Sequence, residues 1–232
     1  MEFSPEGPKA IPLWVNGRAF LTVTESFFDV VNPHSGEAVH RVPLCGAAEA
    51  AEAAGAARAA QPAWAALAPE ARQACLDALA DGLDRYTGHF VKLLRGDTGF
   101  PEAQAQGEVA AALAALRGTV VGEAGVVALV VDATRPLAGF AEAAAPILRA
   151  GGAVIVKPSP KAPAAAFALC ELSGRAAWPP GVLNLMQGDT EAIDGLCCGG
   201  IDRLVYAGNA ALGVQVGAIA DAAGKPYVML AS

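Results

Sequence analysis

The sequence carries little charge and no long apolar segment. Charged residues make up 17% of its 232 residues, against 54% apolar residues, a balance that excludes an intrinsically disordered chain. The most apolar run, residues 124–131, stops at Asp132, far short of the roughly 18 residues that a membrane-spanning helix needs. The opening segment, MEFSPEGPK, lacks the apolar stretch of a secretory signal. We therefore expect a globular, cytoplasmic protein of one or two domains.

Basic residues are also scarce, because 16 Lys and Arg face 23 Asp and Glu, for a net charge of −7. An acidic chain without a basic stripe is a poor partner for nucleic acid or for an anionic membrane. The five cysteines include one adjacent pair but no C-x-x-C spacing. That pattern favours buried free thiols in a reducing compartment over a disulfide framework or a zinc site, so no metal is expected.

Several motifs of nucleotide-binding proteins and hydrolases are missing. The chain has no G-x-G-x-x-G fingerprint, no P-loop and no G-x-S-x-G element. Its three histidines, His34, His40 and His89, all precede the apolar runs of the C-terminal half, and we interpret His34 as a turn residue. A Ser-His-Asp hydrolase is therefore not expected.

The first half of the chain has short β signals followed by helical ones. The segment LWVNG, residues 13–17, predicts a β-hairpin. The segment NPHSG, residues 32–36, predicts a turn before a short apolar stretch. Segments rich in Ala, Leu and Glu then predict helices. We place these helices at about residues 47–60, 69–86, 87–97 and 101–117.

From residue 125 onward, apolar β-branched runs alternate with helical segments. Strands are expected at 126–131, 153–156, 182–186, 204–206 and 227–230, and helices at about 137–149, 163–174, 190–197 and 210–222. Strands that are apolar on both faces and separated by helices indicate βαβ units. The predicted fold class is α/β, with a doubly wound, five-stranded parallel sheet. The sheet domain, residues 125–232, follows a β-hairpin and helical lead-in, residues 1–124, and packs with it as one unit.

Ligands of such sheets bind beyond the carboxyl ends of the strands. The second strand ends at Lys157, whose ammonium can reach ribose hydroxyls or a phosphate, and a surface lysine is the alternative interpretation. The third strand is followed by QGDT, residues 187–190, and the fourth by Gly208 and Asn209. Asn209 is a candidate N-cap, and the start of its helix suits a pyrophosphate. Ordinary capped turns are the alternative at both places, but together the three turns predict one nucleotide-sized cleft.

These motifs resemble those of the aldehyde dehydrogenase superfamily over nearly the whole chain. The resemblance rests on LWVNG (13–17), NPHSGE (32–37), AAPILRAGG (144–152), VIVKPS (154–159), WPPGVLN (178–184), GD (188–189) and the segment 201–213. It implies a Rossmann-like sheet of the aldehyde dehydrogenase type that receives NAD or NADP. It also implies contacts of Lys157 with the adenosine ribose. The remaining cofactor-binding residues that it implies are Ser159, Gly188, Gly208, Asn209 and Leu212.

The sequence departs from the family at positions that carry chemistry. The family's Glu-Leu-Gly-Gly run, which supplies the general base, matches residues 229–232, so Met229 takes the place of the glutamate. Thr134 takes the place of the asparagine that stabilises the oxyanion, and its hydroxyl is a shorter donor than an amide. Pro160 takes the place of an acid that shares the ribose with the lysine. No cysteine falls in a matching motif, and the chain stops at Ser232, before the family's cysteine-bearing domain. We expect no catalytic residue here, and weak or lost binding of NAD or NADP.

Covalent aldehyde oxidation needs a thiolate, an oxyanion donor and a base for deacylation. Our main hypothesis is therefore an aldehyde-dehydrogenase-like domain that is inactive on its own. It would serve a structural, assembly or regulatory role and dock on another aldehyde-dehydrogenase-like chain or domain. One alternative is half of an active dehydrogenase whose cysteine domain lies on another segment or chain. Another is a sensor that binds NAD(P) without catalysis.

Overall fold

A computed structural model describes residues 8–22, 24, 26–176 and 178–231 of the protein. The opening residues 1–7, assessed above for a secretory signal, and Ser232 of the general-base segment lie outside the described residues. The strands are β1 (Lys9–Ala10), β2 (Leu13–Val15), β3 (Arg18–Phe20), β4 (Phe27–Val31), β5 (Ala38–Pro43), β6 (Val126–Val131), β7 (Ala153–Pro158), β8 (Leu183–Leu185), β9 (Arg203–Gly208) and β10 (Tyr227–Ala231). The helices are α1 (Ala47–Ala65), α2 (Pro69–Arg85), α3 (Thr87–Thr98), α4 (Glu102–Arg117), α5 (Ala138–Arg149), α6 (Ala164–Arg175), α7 (Thr190–Cys198) and α8 (Ala210–Ala222).

The main sheet has seven strands in the order β10-β9-β6-β7-β8-β2-β3. The five predicted strands are all present, and the ladders from β10 to β8 are parallel, as the alternation of apolar runs and helices predicted. The chain runs from β6 outward through β7 to β8, and then returns to the other side of β6 with β9 and β10. The strand order therefore reverses between β6 and β9, which is where ligands of open α/β sheets bind.

The predicted hairpin is present, but it extends the main sheet from five strands to seven. Strands β2 and β3 pair antiparallel around a turn in which Asn16 and Gly17 have φ values of 53° and 75°, as a two-residue hairpin turn requires. Trp14 pairs with Leu185 of β8, so β2 joins the sheet antiparallel. The Asn184 side chain holds this junction, because its Oδ1 accepts a 3.0 Å hydrogen bond from the Asn16 N–H.

The sheet is covered by helices on both faces, which confirms the doubly wound prediction. Alternate residues of a strand point to opposite faces, and β6 divides in this way between two cores. Val127 and Leu129 pack in a core with residues of α2 to α6. Ala128 and Val130 pack in a second core with residues of α1, α7 and α8. Strands β1, β5 and β4 form a separate three-stranded sheet, which brings Phe28 to the edge of the cleft described below.

The prediction for the first helix is wrong at its C-terminal end. A proline inside a helix removes a hydrogen bond, so the sequence suggested a break at Pro62, yet α1 continues to Ala65. The reason lies in Trp64, which is fully buried and donates a 2.9 Å hydrogen bond from Nε1 to the Leu148 carbonyl. The Trp64 ring also stacks on Trp178 at 5.4 Å between ring centroids. Tertiary packing of one aromatic side chain thus outweighs a local helix breaker.

The division of the chain at residues 124 and 125 stays a prediction. The two predicted parts share the main sheet, since β2 of the first pairs with β8 of the second. Among the helices that the structure describes, none combines the length and the apolar character needed to cross a bilayer.

Candidate functional site

A cavity of about 610 Å³ opens at the carboxyl ends of β6, β7 and β9. Several residues singled out from the sequence line it, among them Lys157, Ser159, Pro160, Asn209, Leu212 and Thr134. Because parallel strands end at the same edge of a sheet, side chains that follow different strands meet there. The predicted nucleotide-sized cleft is therefore present as a space.

Lys157 is held inside the cleft and is only 3% exposed. Its Nζ donates hydrogen bonds to the Gly188 carbonyl at 2.8 Å and to the Pro158 carbonyl at 3.1 Å. Burial lowers the pKa of Lys157 to about 8, and the nearby charge of Asp189 offsets part of that effect. The surface-lysine interpretation is wrong. An ammonium has three donors, and the two carbonyls are its only hydrogen-bond partners among the described residues, so one N–H stays available to a ligand.

Gly188 acts on the site through its carbonyl oxygen. A Cβ atom at this position would lie 2.8 Å from the Ala192 Cβ and 2.9 Å from the Cys45 carbonyl oxygen. Its small size therefore serves the packing of the turn, while its carbonyl fixes the Lys157 ammonium. Gly188 does not line the cavity, and its predicted contact with a cofactor stays a prediction.

Asn209 begins α8, as the sequence predicted. Its side-chain Oδ1 accepts a 2.8 Å hydrogen bond from the Ala211 N–H, which is the N-cap interaction. One turn further, Leu212 is 48% exposed and faces the cleft. The helix thus offers both a capped N-terminus and an apolar side chain to the cavity.

Asp132 holds the turn between β6 and α5 against the start of α8. Its Oδ2 accepts hydrogen bonds from the Asn209 backbone N–H at 2.6 Å and from the Tyr206 hydroxyl at 3.2 Å. Its Oδ1 accepts hydrogen bonds from the Thr134 N–H at 2.8 Å and the Thr134 hydroxyl at 2.5 Å. Thr134, which the resemblance predicts to stand at the family's oxyanion position, therefore already donates its hydroxyl proton to a neighbouring carboxylate.

Gly208 faces the same carboxylate. It has a φ of 151°, and a Cβ atom there would overlap the Asp132 carboxyl group. In the structure, the Asp132 carboxyl group takes the space beside this glycine. Gly208 does not line the main cavity, so its predicted cofactor contact stays a prediction.

The remaining polar groups of the cleft come from the turn after β7 and the start of α7. The Ser159 Oγ accepts a 3.3 Å hydrogen bond from the Lys161 N–H. Pro160, at the position where the resemblance implies an acid, also lines the cavity. Asp189 and Lys161 also line the cavity. The charged side chains that line the cavity are therefore two cations and two anions, namely Lys157, Lys161, Asp132 and Asp189.

Three buried cysteines of the described residues, Cys45, Cys170 and Cys197, are not activated nucleophiles. None of the five thiols lines the cavity or pairs with another. Burial raises the pKa of Cys45 to about 12 and that of Cys197 to about 11, and it also raises the pKa of Cys170. A nucleophilic cysteine needs a lowered pKa, which these thiols lack. Within the same residues no cluster of His, Cys, Asp and Glu side chains could hold a metal ion.

The sequence placed Asp189 in one of the turns that form the cleft, but it gave no role to the carboxylate of Asp189 or to that of Asp132. Asp132 directly follows the first predicted strand, and Asp189 lies in the turn after the third. The rule that ligands bind beyond the carboxyl ends of strands points to both positions. It gives no hint that Asp132 turns toward the chain's own backbone, because that contact joins residues 77 positions apart.

The fold and the cleft together define a Rossmann-type α/β domain. The chain belongs to the aldehyde dehydrogenase family: the model of the "Aldehyde dehydrogenase family" matches residues 20–124 and 119–231.

Among curated relatives, the chain is 29% identical to a glutarate-semialdehyde dehydrogenase of Pseudomonas putida, over 88% of this chain and 48% of that protein. It is 30% identical to a 3,6-anhydro-alpha-L-galactose dehydrogenase of Streptomyces coelicolor, over 76% of this chain and 40% of that protein. Among solved structures, an indole-3-acetaldehyde dehydrogenase of P. syringae in complex with NAD+ matches with a TM-score of 0.88 and 25% identity, over 98% of this chain and 52% of that one. The chain thus spans about half the length of the relatives it matches.

Family membership implies a dinucleotide cofactor, and the two ends of the cleft fit it differently. The Lys157 end fits a ribose, because a buried ammonium with an available N–H faces the cavity. The α8 end does not fit a diphosphate. The Asn209 N–H that would bind a phosphate already binds the Asp132 carboxylate, and a second anion placed there would be repelled.

Proposed function

We propose that this chain is an aldehyde-dehydrogenase-like domain of the nucleotide-binding type that is catalytically inactive on its own and serves a structural, assembly or regulatory role. The observation that carries the proposal is the cleft itself. In the described residues it contains no thiol, and the Thr134 hydroxyl is engaged by Asp132. Binding of NAD or NADP is weak or lost, because Pro160 offers no acceptor to the ribose and Asp132 sits at the start of α8.

The residue at the family's general-base position supports the same conclusion. Met229 lies in β10, where its Sδ packs close to Gly213 of α8. A thioether cannot take a proton from water at neutral pH, so deacylation would lack its base. The buried and unactivated thiols described above point the same way, because covalent aldehyde oxidation begins with a thiolate.

An activity assay tests this proposal directly. Purified chain is incubated with NAD or NADP and glutarate semialdehyde, the compound in the name of one relative, and reduced cofactor is followed by absorbance. We expect no aldehyde-dependent signal. A signal that disappears in one of the single Cys→Ser variants would overturn the proposal, since it would identify a working nucleophile.

The partner that we propose is another aldehyde-dehydrogenase-like chain or domain. Strand β10 lies at one edge of the main sheet, and in the described part of the chain no strand pairs with its outer side. Its Val228 and Leu230 are each 43% exposed, and an open apolar edge of this kind favours association. Five unpaired cysteines support a reducing, cytoplasmic location for this assembly.

A second candidate function is half of an active dehydrogenase, favoured by a chain that spans about half the length of its relatives. Mixing the purified chain with a full-length aldehyde dehydrogenase from the same cell distinguishes the two. For the assembly role we expect co-elution at a fixed stoichiometry, with the same oxidation rate per partner molecule. A rate in the mixture that exceeds the partner's own rate, with the excess lost when Lys157 is replaced by Met, would favour the half-enzyme instead.

A further inference from the structure

We propose that Asp132 determines which ligand the cleft accepts. Its carboxylate fills the anion position at the start of α8, so the cleft binds an uncharged nucleoside in preference to a nucleoside diphosphate or a dinucleotide. The inference deepens the proposed function and rests on its assignment of the cleft as nucleotide-binding in type. It names a ligand class, a ribose-bearing molecule without a diphosphate.

Asp132 lies at the point where the strand order of the main sheet reverses. The strand order reverses between β6 and β9, and the crevice of an open α/β sheet lies at that reversal. Asp132 follows β6, and Asn209 follows β9. The 2.6 Å hydrogen bond between the Asp132 Oδ2 and the Asn209 N–H therefore crosses the crevice at the point where a phosphate would enter it.

The Asp132 carboxylate is fixed in this place. Asp132 is 6% exposed and accepts four hydrogen bonds, two on each oxygen. The Tyr206 hydroxyl is one of the donors, and burial together with the Asp132 charge raises the pKa of that tyrosine. Gly208 leaves room for the carboxylate by carrying no Cβ. The backbone, the Tyr206 hydroxyl and the glycine at position 208 thus all accommodate the carboxylate of Asp132.

The charges that line the cleft balance one another. Lys157 and Lys161 are matched by Asp132 and Asp189 in the lining, so the cavity has no cationic excess to attract a polyanion. At the Lys157 end, a buried ammonium and the Ser159 hydroxyl face the cavity, and both suit ribose hydroxyls. The Leu212 and Ile219 side chains of α8 add apolar surface for a base.

Calorimetric titration of the purified chain with adenosine, ADP and NAD+ tests the proposal. For the wild-type chain we expect adenosine to bind roughly tenfold or more tightly than ADP or NAD+, since the internal carboxylate repels a diphosphate. This comparison needs no variant, so it tests the proposal even if a substitution impairs folding.

The informative variant is Asp132→Asn, which keeps the size and an acceptor for the Asn209 N–H but removes the charge. We expect it to raise the affinity for ADP and NAD+ about tenfold or more, and to leave the affinity for adenosine within about twofold. The matched control is Asp189→Asn, which removes the same charge from the cleft without touching α8. It should raise the affinity for ADP far less.

Each result decides between the proposals. Wild-type binding of ADP or NAD+ as tight as that of adenosine, or equal effects of the two substitutions on ADP, would overturn the role of Asp132 and leave the inactive-domain assignment standing. Absence of binding of all three ligands to the folded Asp132→Asn variant would overturn it as well, and would leave only the assembly role. Aldehyde oxidation by the wild-type chain would instead overturn the proposed function.

Discussion

The carboxyl group of Asp132 occupies the space beside Gly208 where any other residue would carry its Cβ atom. Gly208 ends β9 and Asp132 directly follows β6, the neighbouring parallel strand, so the two residues meet at the crevice between these strands. Gly208 therefore leaves room for the side chain of Asp132. The β9–α8 turn can keep its conformation beside the acid after β6 because residue 208 has no Cβ atom.

Gly208→Ala should lower the free energy of unfolding for two reasons that can be separated. The new Cβ overlaps the Asp132 carboxyl group, and a φ of 151° is unfavourable for alanine, at about 1–3 kcal/mol. Urea denaturation of the single variants and of the double variant with Asp132→Ala measures both parts. The loss should be smaller in the Asp132→Ala background, and the part that remains is the backbone cost. Strictly additive losses would contradict the overlap.

Trp64→Ala should be strongly destabilising, by about 3–5 kcal/mol, because the side chain is fully buried and stacks on Trp178. Trp64→Phe should cost less, about 1–3 kcal/mol, since it keeps much of the ring contact but leaves the Leu148 carbonyl without its donor. Chemical denaturation followed by circular dichroism measures both. Val121→Ala, at a residue 65% exposed, is the control and should change stability by less than about 0.5 kcal/mol.

Asp97 should make the folded protein less stable as the pH rises from about 4 to 7. The carboxyl group is buried and accepts a 2.9 Å hydrogen bond from the Ala164 N–H, while its Oδ1 has no hydrogen-bond partner among the described residues. Burial raises the pKa of Asp97 to about 7. The folded state therefore binds a proton that the unfolded state has released, and the stability present below the unfolded pKa is lost as the pH rises through the folded one.

The measurement for Asp97 is the unfolding free energy against pH for the wild-type chain and for Asp97→Asn. The difference between them should change by a few kcal/mol over that window, with the wild type losing stability and the variant staying flatter. His40, whose Nε2 lies 3.7 Å from the Asp97 Oδ1, has a pKa lowered by burial and acts in the opposite sense. A His40→Gln background removes its contribution, and parallel curves there would refute the assignment.

Lys157 should make the folded protein more stable as the pH rises in the alkaline range, which is the opposite of the effect of Asp97. Burial lowers its pKa to about 8 in the folded protein, so between pH 8 and about 10.5 the unfolded chain binds a proton that the folded chain has released. Stability from this group is therefore gained as the pH rises through that window and lost as it falls back through 8. Comparison of the wild-type chain with Lys157→Met isolates the effect. Equal slopes for the two proteins would show that the ammonium is solvated.

The elements that could be predicted are those whose signal is local. The run VVALVV predicts β6 because every residue in it is apolar, and Asn16-Gly17 predicts its turn because both residues tolerate a positive φ. The predicted end of α1 was wrong because Pro62 is a local signal for a helix break. The hydrogen bond of the buried Trp64 with the Leu148 carbonyl is a contact between distant segments, which the local sequence does not show. The pairing of Trp14 with Leu185 was missed for the same reason.

For the candidate site, the residue pattern alone sufficed to locate the carboxyl edge of the sheet, to select Lys157 and Asn209, and to reveal the family through its ordered motifs. Periodicity and turn chemistry are properties of neighbouring residues, and so they can be read along the chain. The fold, in contrast, decides that the Lys157 ammonium is buried. It also decides that the Asp132 carboxylate accepts a hydrogen bond from the Asn209 N–H across the crevice. Both features depend on which strands become neighbours in space, and such long-range contacts cannot be recognised from neighbouring residues in the sequence.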